Sequence, residues 1–296
     1  MADNKLWVGN GGTLGDWNVA ANWSPSGVPV DTDHVLFENS AISATATLDQ
    51  SAVTLGSLTI DQSFTGRIGT STTYLQVGAT VVTIGEHTGY GTPNGSDLLK
   101  INLGAVASTV TVHNTNTTSA DTDRPPVRLL FNEATSVLTV RKGSVGVAVN
   151  SDFEASSLAT INIDYVNNIQ SDAKVNIGTG VTLVTLAKTG GECWLSSAAT
   201  TITNRAGDLK LDGTGAYTTI NIYGGLIVSN STGTITTLNA FGGTVDFLQQ
   251  SAARTLTTLN QYGRQGGSIV QYDPSVLTVT NKVAPADRVV VAMTAG

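Results

Sequence analysis

The chain has 296 residues, a formal net charge of −7 and 12% charged residues, with 32 glycines and one cysteine. The acidic balance excludes the basic face that phosphate binding needs, so no nucleic-acid partner is expected, and one cysteine excludes a disulfide framework or a cysteine-based zinc site. No apolar run is long enough to span a membrane, no secretory pattern follows Met1 and no amphipathic helical stretch appears, which points to a soluble all-β chain made in a reducing cytoplasm.

Residues 1–44 differ from the remainder of the chain. Three of the four tryptophans fall here, in Leu6-Trp7-Val8-Gly9, Gly15-Asp16-Trp17-Asn18 and Asn22-Trp23-Ser24, between loops rich in Gly, Asn, Asp and Pro. Val35-Leu36-Phe37 then offers a first strand. Two readings stand side by side. Bulky aromatics cover the open end of a stacked β-structure, or Trp7, Trp17 and Trp23 form a docking face for a partner.

From residue 45 to 157 a loose repeat begins. Leu58, Val82, Val110 and Leu138 recur in Ser57-Leu58-Thr59-Ile60, Val81-Val82-Thr83-Ile84, Thr109-Val110-Thr111-Val112 and Val137-Leu138-Thr139-Val140, at steps of 24, 28 and 28. Steps of that length imply long loops, where function is most readily inserted. The two that stand out are Gly89 to Gly95 and His113 to Pro126.

Between residues 158 and 281 the repeat tightens. Thr218-Thr219-Ile220-Asn221, Thr236-Thr237-Leu238-Asn239 and Thr257-Thr258-Leu259-Asn260 are near copies, and the apolar marker reads Ile161, Leu183, Ile202, Ile220, Leu238, Leu259, Leu277. Glycines keep step with it at Gly190-Gly191, Gly207, Gly224-Gly225, Gly242-Gly243 and Gly266-Gly267, and short alternating phrases come after each. Alternation marks strands with one buried face, and glycine turns the corners. A constant period of 18 to 22 residues favours one coil per unit over the hairpins of a sandwich. The expected fold is a β-solenoid, a right-handed parallel β-helix of about ten rungs and roughly 50 Å of core, with an N-terminal aromatic cap. Asn221, Asn239 and Asn260, with Asn162, are expected to form an amide ladder at a bend.

Trp194 takes the outward register in Glu192-Cys193-Trp194-Leu195, as Lys210 and Asp246 do in their units, so it is a candidate lateral contact. Leu226-Ile227-Val228 is apolar in both registers, which implies either a slipped rung or an apolar outer stripe; the stripe is favoured. At the far end, residues 284–296 carry Val289, Val290 and Val291, an apolar strand that folds back over the rod or pairs with a neighbouring subunit. The division expected is therefore 1–44 cap or docking segment, 45–283 solenoid and 284–296 tail strand.

Catalytic chemistry is thinly represented. His34, His87 and His113 lie on different units without metal-ligand spacing. Asp31 and Asp33, and Asp121 and Asp123, read as solvated turns and not as calcium loops. Asp152 and Glu154 flank Phe153 on one strand face, the only carboxylate pair with a glycosidase-like arrangement. No nucleotide-binding, nucleophile-elbow or His-Glu-x-x-His motif is present, and neither cofactor nor metal is expected.

The order Trp7-Val8-Gly9, Trp17, Asn22-Trp23-Ser24, Pro29, then Asp31 and Asp33 leading to Phe37, resembles the opening of small structural proteins of tailed-bacteriophage virions. It covers some 35 residues. It is also similar to openings that precede β-helix repeats in autotransporter passengers, although the barrel of those proteins is missing. The virion resemblance implies a non-enzymatic capsid decoration or cement protein on the outer capsid surface, whose partner is the major capsid protein lattice. Association in threes follows from the closed symmetry that identical copies favour. The alternative is a tail spike or fibre protein that binds or cleaves host surface polysaccharide.

Overall fold

Short alternating segments punctuated by glycine cannot satisfy their own backbone groups, so each must pair with the units before and after it. The computed structural model describes residues 2–11, 13–86, 99–115, 125–149, 155–164, 173–262 and 267–283. Those residues form an all-β solenoid of twenty-three strands in one continuous hydrogen-bonded system. From about residue 144 a four-residue strand, such as Asp208–Leu211, alternates with a longer one, such as Tyr217–Ile222. Each pairs in parallel with the strand two places along the chain, so every coil lies directly over the last.

The register defines the central column. It runs Lys5, Val35, Leu58, Val82, Val110, Leu138, Ile161, Leu186, Ile202, Ile220, Leu238, Leu259, Lys282. Thirteen positions at about 4.8 Å give a stack of roughly 58 Å. The expected series needs two corrections. Leu183 is buried but belongs to the next inward column, between Leu158 and Ala199, and Leu186 takes the marker position. The cause is a tandem: Val181-Thr182-Leu183 is followed at once by Val184-Thr185-Leu186. Leu277 likewise pairs with Arg254, and Lys282 sits over Leu259.

Among the described residues lysine thus stands at both ends of the column. Lys5 is buried to 7% exposure with its ammonium 3.8 Å from Asp3, and Lys282 reaches the Tyr272 hydroxyl and ring. A lysine offers the stack an aliphatic stem while its ammonium finds a polar partner, here Asp3 or Tyr272.

The boundary expected at residue 44 is not a boundary of the stack. Asn4–Trp7 and His34–Phe37 are its first rungs, joined to Asp49–Asp61 in parallel. Trp23–Ser24 pairs antiparallel with Asn4–Trp7, which covers the first strand's edge against pairing with another chain. The corner glycines Gly191, Gly207, Gly225 and Gly243 all have positive φ, between 67° and 76°. They stack so closely that a Cβ on Gly225 would lie 2.2 Å from the Gly207 carbonyl oxygen.

Candidate functional site

The tryptophans are core. Trp7, Trp17 and Trp23 are 0–2% exposed and pack with Phe37 and Phe64 in a chain of edge-on and tilted contacts with centroids 4.7–6.2 Å apart. Trp7 donates to the Ile42 carbonyl at 2.8 Å and Trp23 to the Trp17 carbonyl at 2.8 Å. Asn22, fully buried, ties the loops together: its amide donates to the Thr13 and Asp16 carbonyls and its oxygen accepts from Gly11 N–H. These rings face one another, so as partner contacts Trp7, Trp17 and Trp23 are corrected to a plug on the first rungs.

The Asp31 and Asp33 turn is likewise structural. Asp33, buried, accepts from the Asp3 and Val30 N–H groups, and Asp31 accepts from Thr54 N–H. Asp33 is therefore desolvated and fully engaged, not a solvated turn residue. His34 bonds Ser57 at 2.9 Å and His113 lies 3.4 Å from Arg141, on separate rungs. Among the described residues no group of His, Cys, Asp and Glu could hold a metal. His87, Asp121, Asp123, Asp152, Glu154 and Val289, Val290 and Val291 lie outside the described residues.

Trp194 faces outward as its register requires, with Cys193 and Leu195 buried beside it, but it is only half exposed. It lies in a column between Asn176 and Lys210. The Leu226 rung is not slipped: Ile227 stays inward on Leu209, and Val228 pairs with Lys210. The expected outer stripe is corrected on the same grounds, because Lys210 separates Trp194 from Val228.

The amide ladder is present. Asn239 donates to Asn221 at 2.8 Å and Asn260 to Asn239 at 2.8 Å. It runs along the outer face of strands Tyr217–Ile222, Ile235–Ala240 and Arg254–Gln261 and not at a bend. Asn162 stands in the same column but apart from it, since Ala187 and Thr203 intervene, and it bonds Thr139 at 3.3 Å. Replacing Asn239 by Leu removes one accepted and one donated bond from a half-buried position and is expected to cost about 1–2 kcal/mol. A shift in the denaturant midpoint at unchanged slope checks it.

Two residues after that ladder, an aromatic stack was not anticipated. Tyr223, Phe241 and Tyr262 lie ring on ring at 4.7 and 4.4 Å, within 9° of parallel, and the Arg205 guanidinium caps Tyr223 at 4.8 Å. The signal was an aromatic three places after the marker in three successive units, at Ile220, Leu238 and Leu259. The inner ring faces of this stack are turned to one another, while Tyr223 and Tyr262 are 45% and 43% exposed.

One buried charge stands in the core. Lys188 is fully buried, hydrogen-bonded to the Ala206 carbonyl at 2.6 Å and registered beside the equally buried Asn204. Burial pushes its pKa down to about 8, against weaker opposing effects of Cys193, Asp208 and Glu192. Burial also pushes Cys193 up to about 12 and Tyr217 up to about 12.

Above pH 8 the folded chain has released the Lys188 proton that the unfolded chain still holds, so stability rises with pH, by about 1 kcal/mol between pH 8 and 9. Beyond pH 9 the unfolded thiol loses its proton while folded Cys193 keeps its own, and the gain levels off. Denaturation at pH 7, 8 and 9 should show the rise in the native chain and none in Lys188→Met.

Comparison with protein-family models, curated proteins and solved structures gives no match. The reading of function therefore rests on the residues and their geometry.

Proposed function

We propose that the chain is a non-enzymatic structural protein of a tailed-bacteriophage virion, seated on the outer capsid surface as a decorating or cementing rod. The observation that carries the structural role is the unbroken column of thirteen stacked positions from Lys5 to Lys282. Hydrogen bonds at every interval make such a rod stiff and fix its length by rung number. The placement on a capsid rests on the N-terminal resemblance, whose residues Trp7, Trp17, Trp23 and Phe37 share one use: they build the plug that fixes the N-terminal loops.

With those rings buried, contact falls to what the loops present. Leu14 and Val30 are 67% and 60% exposed, apolar side chains on the plugged segment suited to a protein partner. A right-handed coil and three copies about a lattice axis belong to this proposal. The polysaccharide-binding reading draws on the Tyr223, Phe241 and Tyr262 stack beside its amide ladder, where Tyr223 and Tyr262 are 45% and 43% exposed, although the inner ring faces are turned to one another and Arg205 lies over Tyr223.

Cosedimentation with undecorated phage heads tests the proposal, beside an assay for sugar release from host envelope polysaccharide. Saturable binding at a fixed ratio to capsid subunits, weakened at least tenfold in Leu14→Asp/Val30→Asp, is the expected result, a loss of about 1.4 kcal/mol or more. Sugar release without head binding would move the chain to the spike class.

A further inference from the structure

The face on either side of the marker column carries a pattern that the short-strand face lacks. On either side of the marker column, the residues one before and one after it point outward, giving two columns along ten rungs from Ser57 and Thr59 to Thr258 and Asn260. Of these twenty positions twelve are threonine, four asparagine and none is charged; Val81 and Thr109 are exposed and the other eighteen half-buried. On the short-strand face the corresponding twelve positions from Lys174 to Gln271 include five charges: Lys174, Glu192, Asp208, Lys210 and Asp246. Charge is kept off one face of the same rod and not off the other.

Most threonine hydroxyls of that face make no side-chain bond. Among its twelve threonines only Thr139 has a side-chain bond within the described residues, the one from Asn162, while the Ser57 hydroxyl bonds His34. Threonines elsewhere close onto the rod, as Thr80 does on the Gly56 carbonyl and Thr189 on that of Ile163. Eleven of the twelve threonine hydroxyls, each with a methyl beside it, are thus left unbonded to the rod, at half-buried or exposed positions on a grid of about 4.8 Å between rungs and about 6.6 Å along each strand.

A solvated surface salt bridge or a protein interface needs no such grid, and a polysaccharide site needs exposed ring faces, which this one does not have. A two-dimensional lattice of uncharged hydroxyls and methyls suits a partner that is itself an uncharged lattice of hydrogen-bonding oxygens. The oxygen rows on the prism planes of ordinary ice repeat at spacings within roughly a tenth of both. We propose that this face is an ice-binding surface: methyls hold first-layer water in cage-like positions, and hydroxyls and amides anchor that layer to the rungs. The inference rests on the face alone and is independent of the virion reading.

Ice-affinity partitioning and freezing-point hysteresis of the full chain test it. The native chain and Val228→Lys, a control on the other face, should concentrate in slowly growing ice and shape its crystals. The double variant Thr219→Lys/Thr237→Lys, placing two charges mid-grid, should be excluded from ice with no hysteresis, while its far-ultraviolet β-signal and melting temperature match the control's. Exclusion of the native chain from ice would overturn the proposal, as would equal partitioning of the double variant. A native dimer that the double variant abolishes, without effect on ice, would identify the face as a contact between copies and overturn it too.

Discussion

Trp17→Ala should lower stability by about 3–5 kcal/mol, the cost of emptying a fully buried indole site whose neighbours are held by other bonds. Trp17 lies 4.7 Å from the Trp23 ring and 6.2 Å from Phe37, and its carbonyl accepts the Trp23 indole N–H. The cavity cannot simply close, because Asn22 pins the loops on either side to Gly11, Thr13 and Asp16. Denaturant titration followed by tryptophan fluorescence reads the loss. In a stacked array each rung leans mainly on its neighbours, so the plug should melt first, with the far rungs persisting to higher denaturant. A single transition at the native midpoint would show that the plug is not part of the cooperative structure.

Gly225→Val should be at least as damaging, by about 3 kcal/mol or more, and for a different reason. The residue has a φ of 76°, where a β-branched side chain is strained, and its Cβ would lie 2.2 Å from the Gly207 oxygen. That oxygen accepts the Leu226 N–H at 3.1 Å, so the clash opens the hydrogen bonds between two coils. Arg205→Val, on an exposed neighbouring bend, is the contrasting change and should cost well under half as much. Equal losses for the two would mean that the glycine spine is incidental.

Much of this was legible because a stacked fold writes itself repeatedly. The apolar marker from Leu58 to Ile161 and from Ile202 to Leu259 falls in one column, and the glycine pairs fall at one corner, since the same contact recurs every coil. Reading failed where local sequence offered two equivalent phases. Val181 to Leu186 repeats Val-Thr-Leu twice, and only pairing with Leu158 and Ile161 decides which leucine belongs where. It failed again at the two ends of the described column, where Lys5 and Lys282 take the marker position and a search for apolar residues passes over them.

The tryptophans were ambiguous for a related reason: an aromatic that plugs a core and one that docks a partner look the same until burial is known. Trp7, Trp17 and Trp23 at 0–2% exposure settle that point for the folded chain. The outer faces were least legible. The Thr/Asn grid and the Tyr223, Phe241 and Tyr262 stack are columns across rungs, visible only after each rung has been set in register.

The most direct test of the central claim, that this rod is a structural component of a capsid surface, is electron microscopy of undecorated heads incubated with the purified chain and averaged over lattice positions. The account predicts one elongated density at each equivalent site, with the plugged N-terminal end against the shell. Heads that remain smooth at saturating protein, under conditions where the chain is folded, would contradict it.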